Sequence, residues 1–362
     1  MASISQKSRY RVIGLMSGTS LDGLDIALCD FRKLTAGWKY SIEQSATVGY
    51  PSKWQERLSA AHILSGEQLA HLDAEYGKWL GQQVRKFLDK HGLKADFVAS
   101  HGHTVFHQPG KGFTTQVGSG FHLHVASGLP VVYDFRSLDV AMGGEGAPLV
   151  PAGDKLLFAD YDVCLNLGGI ANLSLEVKRQ RIAFDICYCN MGLNMLAAEA
   201  SKPYDKNGDM ASDGEVNPTL LEALTRVYTR LRKQRPSLGR ELYERDVAPL
   251  LADKSIPLPD RLATFTEAIA IEVCDAIRAH RKEGRIMCTG GGAFNGYLMT
   301  RFLEHGGDAL TFILPDEDIV KFKEAMVFAF LGVLRVRNEV NCLKSVTRAS
   351  ADSSSGLMLG FR

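Results

Sequence analysis

Val12-Ile13-Gly14-Leu15-Met16-Ser17-Gly18-Thr19-Ser20-Leu21-Asp22-Gly23-Leu24-Asp25-Ile26-Ala27-Leu28-Cys29-Asp30-Phe31 is the stretch that decides how this chain is read. An apolar run breaks at a glycine-bounded, hydroxyl-rich segment and then resumes, which predicts a strand, a turn and a second strand. Gly18 and Gly23 permit dihedrals and a closeness of approach that a β-carbon forbids, so backbone N–H groups and small hydroxyls can converge on one point. A turn of this build can cradle a phosphate. A plain hairpin that uses Gly and Ser for its turn has the same sequence. The lysine and following helix of a P-loop are missing, and nothing else in the chain matches that pattern.

Downstream, the periodicity predicts a helix carrying Leu69, Leu72, Tyr76, Trp79, Leu80, Phe87 and Leu88, opened by a Ser65/Gln68 capping box and closed by Gly92. Residues 95–100 read as a buried strand that delivers Ser100-His101-Gly102-His103-Thr104 to its end, where open α/β sheets bind ligands. A strand at 131–135 ends on Asp134-Phe135-Arg136, and the glycine-rich loop 143–148 follows. A second strand-turn-strand series then begins at Asp162, with apolar 163–167, the turn Gly168-Gly169 and a run over 170–177. Its likeness to the opening hairpin suggests an internally duplicated α/β fold. Helices over 218–233 and 261–281, a strand at 285–289 and a nearly all-apolar helix over 321–337 complete the outline.

At 362 residues the chain exceeds what one hydrophobic core usually serves, so two domains are expected. We place the N-terminal lobe at 1–134, joined by 345–362, and the C-terminal lobe at 135–344, with a ligand cleft between them. Forty-two basic residues balance forty-one acidic ones, without a basic block, which argues against a nucleic-acid partner. The polar opening 1–10 and the lack of a long apolar run argue against a leader, an anchor or a membrane span. Seven scattered cysteines without a Cys-x-x-Cys read as reduced thiols in a cytoplasmic protein.

Several constellations carry chemistry. Gly290-Gly291-Gly292-Ala293-Phe294-Asn295 lies between a strand and a helix and fits a nucleotide-contacting turn, tight strand–helix packing, or a dinucleotide fingerprint lacking its last glycine and a clear following βαβ unit. His101, His103, His107, His122 and His124 crowd together. If both pairs lie on strands, His101/His103 and His122/His124 each share a face and can meet at a metal, although loop histidines near a polar ligand explain them equally. Asp185, following apolar 182–184, sits at a predicted strand end as a general base or a turn cap. Glu324, at the start of the apolar helix, must face a cleft or be stabilised by the helix N-terminus.

Taken in order, these pieces resemble the anhydro-N-acetylmuramic acid kinase family of the hexokinase/actin/Hsp70 superfamily. The match runs through 14–23, Ser100-His101-Gly102-His103-Thr104, Asp134-Phe135-Arg136, 143–151, Leu165-Asn166-Leu167-Gly168-Gly169-Ile170-Ala171-Asn172, Gly239-Arg240-Glu241-Leu242, 289–295 and Lys323-Glu324-Ala325. The resemblance implies a two-lobed, ribonuclease H-like α/β fold with a nucleotide cleft between duplicated domains. It also implies an ATP site made by Gly18, Thr19, Ser20, Asp22, Gly23 and Asp25, by Gly168, Gly169 and Asn172, and by Gly290, Gly291, Gly292 and Asn295. Mg²⁺ would sit near Asp22 and Asp25, held through water. Thr104, Arg136 and Glu324 would contact the sugar, Arg136 suiting its lactyl carboxylate, and Asp185 would be the general base. The family's reaction opens the 1,6-anhydro ring with water while ATP phosphorylates O6, and the family implies a homodimer.

Two departures stand out. Where the family commonly reads Thr-Gly-Pro-Gly-Asn after the base, this chain has Ile186-Cys187-Tyr188-Cys189-Asn190, and Arg235-Pro236-Ser237 lacks a lysine often found there. A related sugar kinase with another acceptor, or a binding protein that closes on ATP without transferring phosphate, are the alternatives.

Overall fold

The computed structural model describes residues 4–18, 21, 23–234 and 238–361. Thr19, Ser20 and Asp22 of the expected phosphate and Mg²⁺ site, and the departure at 235–237, lie outside the described residues. The strands are β1 (Arg9–Ser17), β2 (Gly23–Leu34), β3 (Gly37–Gly49), β4 (Phe97–Gln108), β5 (Phe113–Val117), β6 (Val131–Tyr133), β7 (Val163–Leu167), β8 (Ile170–Val177), β9 (Gln180–Tyr188), β10 (Gly284–Thr289), β11 (Leu310–Ile313) and β12 (Leu357–Leu359).

They form two sheets, one in each of two compact units. Unit 1 comprises 1–158 and 322–362, and its sheet runs β12-β6-β4-β1-β2-β3, with β5 beside β4. Unit 2 comprises 159–321, and its sheet runs β11-β10-β7-β8-β9. Within each, three consecutive strands form an antiparallel meander, then a fourth pairs parallel with the first and a further one parallel with the fourth. The meander strands need only short turns, whereas parallel pairing demands crossovers, which the intervening helices supply. This repeated order is that of the duplicated ribonuclease H-like fold of the actin and hexokinase group. The helix Gly296–Gly306 joins parallel β10 and β11, so the glycine turn at 290–292 does open a βαβ unit, contrary to the sequence reading. The antiparallel β7-β8-β9 meander beside it removes the dinucleotide-fold alternative.

The sequence places breaks after 134 and 344; the compact units part after 158 and 321. Packing explains the difference. The helix Val150–Leu157 packs on β3, and its buried Asp154 pairs with buried Lys323 at 2.9 Å. The helix Glu317–Val336 then lies against β1 and β4: a β-carbon on Gly14 would sit 1.9 Å from the Ala325 carbonyl oxygen, and one on Gly332 would sit 2.8 Å from Ala99 Cβ. Gly14→Ala therefore forces a central strand off this helix. It is expected to cost about 3 kcal/mol or more, read as a lower urea midpoint.

The capping box at Ser65 and Gln68 forms as expected, and Gly92 closes the helix Gly66–His91 with φ +63°. That helix buries Leu72, Tyr76, Leu80, Val84 and Phe87 against the sheet of unit 1. Among the described residues no helix is long and apolar enough to cross a membrane.

Candidate functional site

In unit 1, β4 does not stop at Ser100 as expected but continues to Gln108, because β5 pairs with its outer half. Its register against β1 shifts between Leu15↔Ser100 and Ser17↔His103, one extra residue on β4 at a point where Gly102 has φ +72°. Such a bulge breaks the two-residue alternation, so the histidines on either side find different partners. His103 Nδ1 lies 2.9 Å from Ser17 Oγ, Tyr50 donates its hydroxyl to Ser17 at 2.7 Å, and the Tyr76 and Tyr50 hydroxyls are 2.6 Å apart. Tyr50 donates to Ser17, and His103 completes the line as a neutral imidazole. This buried polar line anchors the end of β1, where the Gly18 turn begins.

Of the two readings of the histidines, the meeting of both pairs at a metal is not found. His122 and His124 lie on the helix Gly120–Ser127 rather than on a strand, and among the described residues no group of three or more His, Cys, Asp or Glu is placed to hold a metal ion. Burial instead lowers the His103 pKa to about 4. The unfolded chain, with His near its ordinary 6.5, then binds this proton more readily than the fold. The sign is fixed: His103 takes stability away as pH falls from about 6.5 toward 4. His103→Asn is expected to flatten the stability–pH curve in that window, measured by urea unfolding against the parent.

His101 is engaged elsewhere. Its Nδ1 faces the Gly102 carbonyl at 2.8 Å, and its Nε2 accepts from Arg136 Nε at 2.9 Å and Nη2 at 2.8 Å, while Arg136 Nη1 donates to Gly146 O at 2.6 Å. Burial brings the Arg136 pKa down to about 10, partly offset by Glu324, and the arginine remains charged at neutral pH. Thr104 is half-buried and accepts from Gln116 Nε2 at 3.3 Å. Gln116 and His101 line a recess of about 280 Å³ together with Asp73, Ser100, Tyr133 and Asp134.

Glu324 lies two turns into the helix Glu317–Val336, too far along for the N-terminal dipole to act. It is open to solvent, yet crowding protein raises its carboxyl pKa against the pull of Lys323 and Arg136. Asp25, half-buried on β2, accepts from Thr47 at 2.6 Å. Gly23 serves packing: a β-carbon there would meet the Val48 carbonyl at 2.8 Å.

In unit 2 the Gly168-Gly169 turn joins β7 to β8 where the sequence places it. Its carbonyls accept from the N–H groups of Cys189, Asn190 and Met191, while among the described residues no hydrogen bond engages the amides of Gly168 and Gly169. Among the described residues a β-carbon on either would meet nothing closer than 3.5 Å, so the backbone there has room for one. Gly290 and Gly292 differ. Gly290 has φ +82°, and β-carbons on the two would approach Leu167 at 2.8–3.0 Å; a β-carbon on Gly291 would meet Asn190 Nδ2 at 3.7 Å, an ordinary contact. Asn295 accepts from Leu298 N at 3.0 Å and caps the helix Gly296–Gly306.

Asp185 lies within β9 rather than at a strand end, facing Asn172 on β8. The register shifts there from Asn172↔Asp185 to Ala171↔Cys187, so Ile186 is an extra residue. A bulge of this kind re-aims the neighbouring side chain, and strand-end reasoning cannot foresee it. Asp185 Oδ2 accepts from Leu238 N at 3.0 Å, and the carboxyl is half-buried. Burial raises its pKa above the ordinary aspartate value, with the Leu238 N–H pulling the other way.

The departure at 186–189 turns inward. Cys187, Tyr188 and Cys189 have no exposed surface, and Ile186 is also buried. The Tyr188 hydroxyl donates to Gly239 O at 2.9 Å and its ring packs edge-on against Tyr243. These side chains fill the core of unit 2.

A family model described as anhydro-N-acetylmuramic acid kinase matches residues 10–360. Curated relatives of that name include one from Pseudomonas putida, 36% identical over 95% of this chain and 96% of its own. Another from Chromobacterium violaceum is 34% identical, and one from Actinobacillus pleuropneumoniae serotype 7 is 31% identical; each pairing covers 96% of this chain and 98% of the relative. The likeness thus spans both sheets, the glycine turns and Asp185 alike, and the chain belongs to the anhydro-N-acetylmuramic acid kinase family.

Proposed function

We propose that this sugar kinase acts on 1,6-anhydro-N-acetylmuramic acid, using ATP to phosphorylate O6 while water opens the anhydro ring. The product is N-acetylmuramic acid 6-phosphate, which returns cell-wall sugar to metabolism in peptidoglycan recycling. One observation carries the reading: a half-buried carboxylate, Asp185, held on a bulge by a backbone N–H with its pKa raised. A base so tuned takes a proton from water better than an ordinary aspartate does.

The bond changes balance. The water oxygen attacks C1 and gives its proton to Asp185 as C1–O6 breaks. O6 forms its new bond to the γ-phosphorus, and the bond from that phosphorus to the β-phosphate oxygen breaks to release ADP. The leaving oxygen needs no separate acid, because phosphorus takes the proton's place.

The Gly168-Gly169 amides, with room that a β-carbon would fill, suit a phosphate, and Gly291 offers similar open backbone. The Asp25 carboxylate is of the oxygen type that Mg²⁺ takes and would hold it through water; when bound, Mg²⁺ neutralises phosphate charge. Arg136 would receive the lactyl carboxylate, beside Thr104 and Glu324. Burial of Cys187, Tyr188 and Cys189 in the core weighs against their side chains selecting another acceptor. Cytoplasmic location and a homodimer belong to the same reading.

The test is incubation with the anhydro sugar and Mg·ATP, followed by mass spectrometry. A product heavier by one phosphoryl group and one water supports the reading. ATP turnover without that product, or a phosphorylated sugar that has not gained water, overturns it.

A further inference from the structure

We propose that His101 is a positioning residue: as a fixed neutral imidazole it takes the side fork of Arg136 and thereby aims the remaining N–H groups at the sugar's carboxylate. This rests on the proposed muramic acid substrate, whose lactyl group supplies that carboxylate.

The tautomer follows from partners. A carbonyl only accepts, so the 2.8 Å contact with Gly102 O places the proton on Nδ1. Nε2 is then a lone pair, and Arg136 points two donors at it, from Nε and Nη2. Gly146 O takes a third donor, from Nη1. A guanidinium has five N–H groups, so among the described residues one is left on each terminal nitrogen. A free arginine could offer a carboxylate its Nε/Nη2 side; here that side is spent on His101. His101 is itself buried, its ring tilted against that of Phe328 with centroids 4.7 Å apart, so it cannot swing away cheaply. Burial and the Arg136 charge both hold it neutral.

Two substitutions separate the two bonds of the ring. The amide of His101→Asn stops near the Nδ1 position and can keep the Gly102 bond while losing Arg136. His101→Gln can place its amide oxygen near the Nε2 position and keep Arg136. Steady-state kinetics would compare both with the parent, on 1,6-anhydro-N-acetylmuramic acid and on 1,6-anhydro-N-acetylglucosamine, which lacks the lactyl carboxylate. The Asn variant is expected to raise KM for the muramic sugar about tenfold, in line with one misdirected charged hydrogen bond. KM for ATP and for the carboxylate-free sugar should move less than about twofold, so the preference between sugars collapses. The Gln variant is expected to keep the parent's preference. Equal KM effects for Asn and Gln, or an unchanged preference in Asn, overturn the proposal. If the Asn variant does not fold, the Gln variant decides alone, since a preference lost there is equally fatal. A parent enzyme inactive on the muramic sugar overturns the substrate reading itself, and this proposal with it.

Discussion

Asp185→Asn is expected to lower turnover of the anhydro sugar by about 10²–10⁴-fold, the usual contribution of a positioned general base. KM for sugar and for ATP should stay within about threefold, because the amide matches the carboxylate in shape and removes only its basicity. The fold should also survive: the amide oxygen can still accept from Leu238 N, the hydrogen bond that holds the carboxylate among the described residues. The parent's pH profile gives a second readout. The base works only when deprotonated, and burial raises its pKa above the ordinary aspartate value. The acid limb of kcat/KM is therefore expected above the normal aspartate range, with the rate falling as pH drops through it. An unchanged rate in Asp185→Asn would show that another group takes the proton.

Local signals were legible and long-range ones were not. The run 163–167, the turn and the run 170–177 fold as β7, the Gly168-Gly169 turn and β8 because apolar runs and glycines act over a few residues. Ser65 and Gln68 make their capping box for the same reason. The bulges beside Gly102 and Asp185 depend on strands far apart in the sequence, or on register that no local pattern encodes. They moved Asp185 from a strand end into a strand and set His101 and His103 to separate tasks. The long-range pairs His101–Arg136, Ser17–His103 and Asp185–Leu238 left no mark that a single sequence could carry. Cys187 and Tyr188 read as a change near the sugar only because Asp185 is their neighbour in the chain; their side chains turn into the core instead.

Glycines that look alike in the sequence are expected to fail in different ways. Gly290→Ala must place a β-carbon 2.7 Å from Asn166 Oδ1 and 2.8 Å from the Leu167 carbonyl, at φ +82°. Both the clash and the dihedral are costly for alanine, so a stability loss of about 2–4 kcal/mol is expected, seen in urea unfolding without any nucleotide. Gly169→Ala meets nothing closer than 3.9 Å, and its residue is solvent-exposed. Its fold should be unharmed, within about 0.5 kcal/mol of the parent. If the turn grips phosphate, however, the new methyl occupies the space where oxygen must approach the amides. KM for ATP should then rise about tenfold or more, the loss of one or two charge-assisted hydrogen bonds, while the sugar's KM stays near that of the parent. A Gly169→Ala enzyme with normal ATP kinetics would mean that this turn does not hold the nucleotide, whatever its resemblance to the hairpin at Gly18. The pair of variants thus separates a glycine kept for the protein's own backbone from one kept for a ligand.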